Sequence, residues 1–191
     1  MQQFLRRTDI VDWDDPELLA LAETLACGAA DPMEVARRCF QWVRDEVRHS
    51  SDYRLNPVTC TASDVLRHRT GYCYAKSHLL AALLRANRIP AGFCYQRLSK
   101  DDQGPPFCLH GLNAVLLPGG NWYRVDARGN RPGVNAQFTP PIERLAFATR
   151  LPGEVTLPEV YADPLGVVVH ALRSYRTWDE LWERLPDMEL R

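Results

Sequence analysis

The chain has 191 residues, 46% of them hydrophobic, and its 23 Lys and Arg nearly balance 24 Asp and Glu. This length suits one domain with a sizeable core, and a net charge of -1 without a long basic run excludes a protein that tracks nucleic-acid phosphates. No stretch approaches the roughly 20 apolar residues of a membrane span, and the opening MQQFLRRTDIVDWDD is charged by its sixth residue, so a soluble, unexported, cytoplasmic protein is expected.

The first half reads as helical. In DPELLALAETLACG, Asp15 is an N-cap, Pro16 occupies the first helical position and Gly28 is a stop. Asp31 opens a second helix, with Pro32 next and Glu34 completing a capping box; Val35, Cys39, Trp42, Val43 and Val47 form its apolar face. The stretch HSSDYRLNPVTCTA, polar and proline-punctuated, is expected to be a surface connection. Ser63 is the expected cap of a short helix ended by Gly71, and Cys73 then stands at the start of YAKSHLLAALLRANRI, whose nearly continuous apolar residues predict a helix buried on most sides.

After Pro90 the period changes to two. AGFCYQRLS, CLHGLNAVLL and NWYRVDAR predict three strands, the last two joined as a hairpin through Pro118–Gly120. RGNRPGVNAQFTPP predicts an ordered loop or flap, IERLAFA a short helix and PGEVTLPEVYADP a mostly irregular segment. GVVVHALRSY and TWDELWERL close the chain as helices, the latter with a Thr177/Glu180 capping box. Helices first and consecutive strands afterwards predict an α+β fold in a single domain spanning 1–191.

Six cysteines in a domain of this size, without a secretion signal, read as reduced thiols. No C-x-x-C pair occurs and the five histidines lack H-x-x-x-H spacing, so neither a metal site nor any other cofactor is expected. A thiolate is stabilised by the orphan N–H groups and positive dipole end of a helix's first turn, and Cys73 alone of the six is so placed. Cys27, Cys39 and Cys94 read as small core residues; Cys60 and Cys108 sit at loop or strand ends and could be exposed. Downstream, a hairpin loop at Pro118–Gly120 pairs Leu117 with Asn121 and Leu112 with Asp126, which makes His110 a same-face diagonal neighbour of Asp126, and a turn centred on Pro118 instead makes the two directly opposite; either register puts them on one face. A carboxylate there can hold one ring nitrogen and leave the other for a thiol, the nucleophile, base and orienter pattern.

The segment ASDVLRHRTGYCYAKSHLLAALLRANRIPAGFCYQRLS resembles the active-site region of the transglutaminase-like superfamily: a helix, Gly-x-Cys, a buried helix ending in LLRA, then IPA into a strand. HGLNAVLLPGGNWYRVDARGN resembles its second signature, a His, a strand, a turn, a Trp and an Asp on the next strand; together the two span about Ser63 to Asn130. One departure is that many members follow the histidine with a small residue and Trp, where this chain has Gly111, Leu112 and Asn113. The resemblance implies a papain-like α+β fold with the nucleophile's helix packed on an antiparallel sheet, Cys73 as nucleophile, His110 as base and Asp126 as third member. It implies cofactor-free acyl transfer or hydrolysis on a peptide, protein or small amide; the alternatives are a non-catalytic binding module on the same fold and an irregular metal site formed by the histidines and cysteines. Tyr72, Tyr74, Asn113 and Arg128 are the candidate substrate contacts. Tyr53, Gln41, Asn56 and Trp42 are the candidates for a second oxyanion donor beside the Cys73 N–H. Lys76 either helps hold a thiolate or is solvated; His49 with Asp52 could line the opposite wall of a cleft, and the preferred reading of His49 is a cation favoured at a helix C-terminus.

Overall fold

In the computed structural model, residues 1–188 are described, and helices precede an antiparallel sheet. The helices α1 (Pro16–Ala26) and α2 (Pro32–Glu46) each begin with proline behind an aspartate cap: Asp15 accepts from the N–H groups of Glu17 and Leu18, and Asp31 from that of Glu34 at 2.8 Å. The Glu34 carboxylate turns outward to Arg37 and Arg38 rather than back to its cap. Phe40 joins Val35, Cys39 and Val43 on the buried face of α2, while Trp42, expected there, lies half-buried with the Arg69 guanidinium 4.5 Å from its ring centre.

The stretch after α2 is the surface connection its polarity suggests only in its middle: residues 52–54, 56 and 57 are exposed, while its two ends are buried. Arg48–His49 form β1, a two-residue strand parallel to β2 (Thr70–Gly71), and the short α3 (Ser50–Tyr53) follows. Ser50, Thr59 and Cys60 are buried because backbone and hydroxyl partners satisfy them: Ser50 Oγ meets Thr70 Oγ1 at 3.1 Å, and Thr59 Oγ1 donates to the Thr70 carbonyl at 2.9 Å. The cap of α4 (Ala62–His68) is Thr61, not Ser63, whose hydroxyl is drawn to Asp12; the helix ends at Arg69 in the left-handed conformation, two residues before the expected Gly71.

The central element is α5 (Cys73–Ala86), buried from Cys73 through Arg85 between α1, α2 and α4 on one side and the sheet on the other. Most of its buried polar groups find partners: Arg85 donates to the carbonyls of Arg6, Ala91 and Ala162, and His78 Nδ1 lies 2.7 Å from the Cys60 carbonyl, while His78 Nε2 has none. The sheet runs β5-β4-β3-β6, all neighbours antiparallel, with β3 (Ala91–Ser99), β4 (Phe107–Leu116), β5 (Trp122–Val125) and β6 (Val155–Thr156). Asn113 pairs with Val125 and Leu116 with Trp122, so the hairpin has the register in which Leu117 meets Asn121.

The IERLAFA segment is extended rather than helical. Gln137 bridges to Arg144, and Glu143 is held by the backbone and guanidinium of Arg124 on β5, ties that a helix would break. The following segment contributes β6 and a bridge between Phe93 and Tyr161, so it is more regular than expected. Helices α6 (Gly166–Ser174) and α7 (Trp178–Glu183) close the chain, the Glu180 carboxylate accepting from the N–H of Thr177 as the capping pattern requires. Among the described residues no helix is long and apolar enough to cross a membrane.

The contact that joins α5 to the sheet is a backbone approach at Gly111. A Cβ there would stand 2.9 Å from Tyr74 Cδ1 and 3.2 Å from Tyr74 Cα, closer than packed carbons tolerate. Gly111→Ala is therefore expected to destabilise the protein by about 1–3 kcal/mol, read as a lower urea midpoint with an unchanged slope.

Candidate active site

Cys73 occupies the first position of α5, and Tyr72, its N-cap, supplies no side-chain acceptor, so the N–H groups of the first turn have no capping side chain. The sulfur accepts a long hydrogen bond, 3.5 Å, from the Gly111 N–H on β4. One residue earlier, His110 turns its Nε2 to Asp126 Oδ2 at 2.7 Å, just past the end of β5. This leaves Nδ1 as the ring nitrogen free to serve the sulfur.

Asp126 is buried and fully engaged. Besides His110, its Oδ2 accepts from the Ala146 N–H at 3.0 Å and its Oδ1 from the Arg128 N–H at 3.1 Å. Burial alone would raise its pKa, but His110 and these two donors reverse the balance and hold it below the ordinary value. For His110 burial opposes the charge, while the Asp126 carboxylate, the Cys73 sulfur and hydrogen bonding to both outweigh it, raising the imidazolium to about 10. Phe147 stands edge-on to the ring at 5.0 Å and limits its rotation.

All six sulfurs are unpaired. Burial raises the thiols of Cys39 and Cys94 to about 12, and burial followed by the nearby Cys73 does the same for Cys108; burial also raises Cys60. Cys60, which could have been exposed, is buried, and Cys27, read as a core residue, is exposed at the end of α1 because the chain leaves the helix there.

A cleft of about 590 Å³ opens over Cys73 and His110. Tyr72 and Tyr74 line it, but both phenols are committed inside the fold: Tyr72 donates to the Trp178 carbonyl and Tyr74 to that of Leu109. Arg128 also lines it, clamped by two bonds to Asp52 at 2.7 and 2.9 Å. Asn113 does not reach the cleft. It lies on the face of β4 turned to α5, where its Nδ2 donates to the carbonyls of Ser77 and Gly92. The loop beyond Arg128 contributes Arg131–Val134 as one wall, and Leu98, Leu109, Trp182 and Leu185 give the cleft an apolar portion.

Lys76 neither faces the sulfur nor meets solvent. It is wholly buried and donates to the carbonyls of Val47 and, at 3.3 Å, Arg44, closing the end of α2; burial and then Arg128 lower it to about 7. The four residues considered as oxyanion donors are elsewhere. Gln41 accepts from Arg37, Asn56 accepts the Trp178 N–H, Trp42 stacks with Arg69, and the exposed Tyr53 stacks with Arg48. For His49 the cleft-wall reading holds over the preferred helix-end cation: it is a buried wall of the cleft, and burial first, then Arg128 and Lys76, hold it well below the ordinary histidine value.

A thiol at a helix start beside a carboxylate-held histidine, on one strand pair, is the arrangement of a cysteine-based catalytic fold. The family profile described as "Transglutaminase-like superfamily" matches residues 19–127, more than half of the chain. The chain belongs to the transglutaminase-like superfamily. Among solved structures, a candidate cysteine protease from Cytophaga hutchinsonii is 25% identical with a TM-score of 0.54, the match covering 65% of this chain and 40% of that one. The periplasmic domain of TgpA from Pseudomonas aeruginosa is 23% identical (TM-score 0.47, 65% of this chain and 45% of that one), and its ethylmercury-bound form 21% identical (TM-score 0.47, 65% and 46%). The chain thus matches less than half the length of each of these structures. A search of curated proteins gives no match.

In this transglutaminase-like chain the His110 proton is linked to folding. Its folded pKa, about 10, lies above the ordinary 6.5, so the stabilisation from its charged form is complete below about pH 6.5 and is lost as pH rises toward 10. An NMR titration is expected to show His110 unchanged between pH 5 and 8 in the native protein, and to show its midpoint moved down in Asp126→Asn.

Proposed function

We propose that this protein is a thiol hydrolase or acyltransferase, acting on an amide or peptide bond through a thioester on Cys73. The observation that carries the reading is the 2.7 Å bond from His110 to Asp126 beside a helix-start thiol. His110, held as imidazolium by Asp126 and the sulfur, is the acid that protonates the leaving amine; once neutral, it is the base that draws a proton from the water or amine resolving the thioester. Asp126 fixes the ring so that Nδ1 faces the sulfur.

Hydrolysis of a peptide or small amide is the preferred outcome. A cleft of about 590 Å³ accommodates a short segment or small molecule, and the Cytophaga relative, described as a candidate cysteine protease, supports the same class. Tyr72 and Arg128 are the proposed substrate walls, with phenol and guanidinium held by the fold so that they present surface rather than free donors.

The test is turnover of an activated ester and a panel of short peptide amides. Cys73→Ala is expected to abolish turnover with an unchanged thermal midpoint, and His110→Ala to lower kcat by about 10²–10⁴-fold. Full activity in Cys73→Ala would remove the thioester mechanism, and specific binding of the panel without turnover would favour the binding module.

A further inference from the structure

Attack on a carbonyl moves its π electron pair onto oxygen, and that negative charge needs preorganised donors in a partly dry site. The Cys73 N–H, uncapped at the start of α5, is one. The other is absent from every residue the sequence offered, since Gln41, Asn56, Trp42 and Tyr53 are all engaged or exposed away from the cleft.

His49 is in the right place. The β1–β2 pairing sets it opposite Gly71, two residues ahead of Cys73, so backbone hydrogen bonding rather than a flexible loop fixes its distance from the helix start. Its ring stands edge-on to Tyr72, with centroids 5.5 Å apart, and it lines the same cleft as Cys73 and His110. Its Nδ1 is occupied by Ser51 Oγ at 3.1 Å. Its Nε2 has no hydrogen-bond partner among the described residues, yet it is not among the buried polar atoms sealed away without one, so it opens on the cleft. His78 also has an unpartnered ring nitrogen, but that one is sealed in the core, whereas the free nitrogen of His49 belongs to a ring that lines the cleft shared with Cys73 and His110.

We propose that His49 Nε2–H is the second donor of the oxyanion hole, acting with the Cys73 N–H; this rests on the acyl-transfer reading above. The role requires the tautomer in which Ser51 Oγ–H donates to Nδ1 across their 3.1 Å contact and the single proton of the neutral ring sits on Nε2. The groups around it, Arg128, Lys76, His110 and Arg131, all oppose a second positive charge, which keeps the ring a neutral donor that polarises the carbonyl without delivering a proton. In the step itself the thiolate forms the S–C bond, the carbonyl pair moves to oxygen and is held by the two N–H groups, and collapse expels the amine, which takes its proton from His110. Asp52, 3.9 Å from His49 Nδ1, is clamped by Arg128 and does not compete for the ring.

The test pairs a step that develops an oxyanion with one that does not. Activated-ester turnover and alkylation of Cys73 by iodoacetamide are measured at one pH in the native protein, His49→Phe and His49→Gln, with thermal midpoints checked. Phe keeps the edge-on contact with Tyr72 and removes the donor; Gln returns an N–H near the position of Nε2. The expected result for His49→Phe is a kcat lower by about 10²–10³-fold at nearly constant KM, with alkylation unchanged and part of kcat restored in His49→Gln. Turnover that survives His49→Phe, or alkylation that falls in step with turnover, overturns the assignment of His49 alone. A native protein that alkylates at Cys73 but turns over no acyl donor overturns the acyl-transfer reading and the donor with it.

Discussion

The site depends on the approach of the first turn of α5 to β4 at Gly111, where no side chain separates helix from strand. The strand's hydrogen-bonding register fixes His110, and the helix start fixes Cys73. Because the two elements touch through backbone, neither group can move without moving the core. A packed interior of this kind holds the two side chains within a fraction of an ångström, the precision that the proposed proton transfer and attack require. The hairpin adds the third group: β4 and β5 are in register, and Asp126 lies one residue past the last paired position, Val125.

Electrostatics then follows from burial. Burial penalises each charged group near the cysteine, and partners offset the penalty for some and not for others. Asp126 keeps its charge through three donors, and His110 keeps its proton through Asp126 and the sulfur. Lys76 is given only carbonyls and is lowered to about 7, whereas His49, among cations, is kept neutral. The environment thus pulls two histidines on one cleft in opposite directions, raising the pKa of His110 and lowering that of His49.

Much of this was legible in the chain. The aspartate–proline helix starts, the helix beginning at Cys73 and the register that sets His110 diagonal to Asp126 are local patterns, and local patterns are what spacing reports. Asn113 was misplaced because two residues along a strand from the helix-facing Gly111 it shares that face, whereas His110 is on the other. For His49 the local sequence left a cleft wall as the second choice behind a helix-end cation, because what brings it to the cleft is a two-residue parallel pairing with Thr70–Gly71, more than twenty positions away. The Ala146 N–H on Asp126 was hidden likewise, since it needs an extended backbone that Arg124 and Gln137 impose from elsewhere.

The central claim is a covalent acyl-enzyme on one sulfur out of six. The most direct measurement is intact-protein and peptide mass spectrometry after brief exposure to p-nitrophenyl acetate and acid quench. A gain of one acetyl group confined to the peptide carrying Cys73, and lost in His110→Ala, is the predicted result. Acetylation spread over several cysteines, or absent from Cys73 in the native protein, would contradict it.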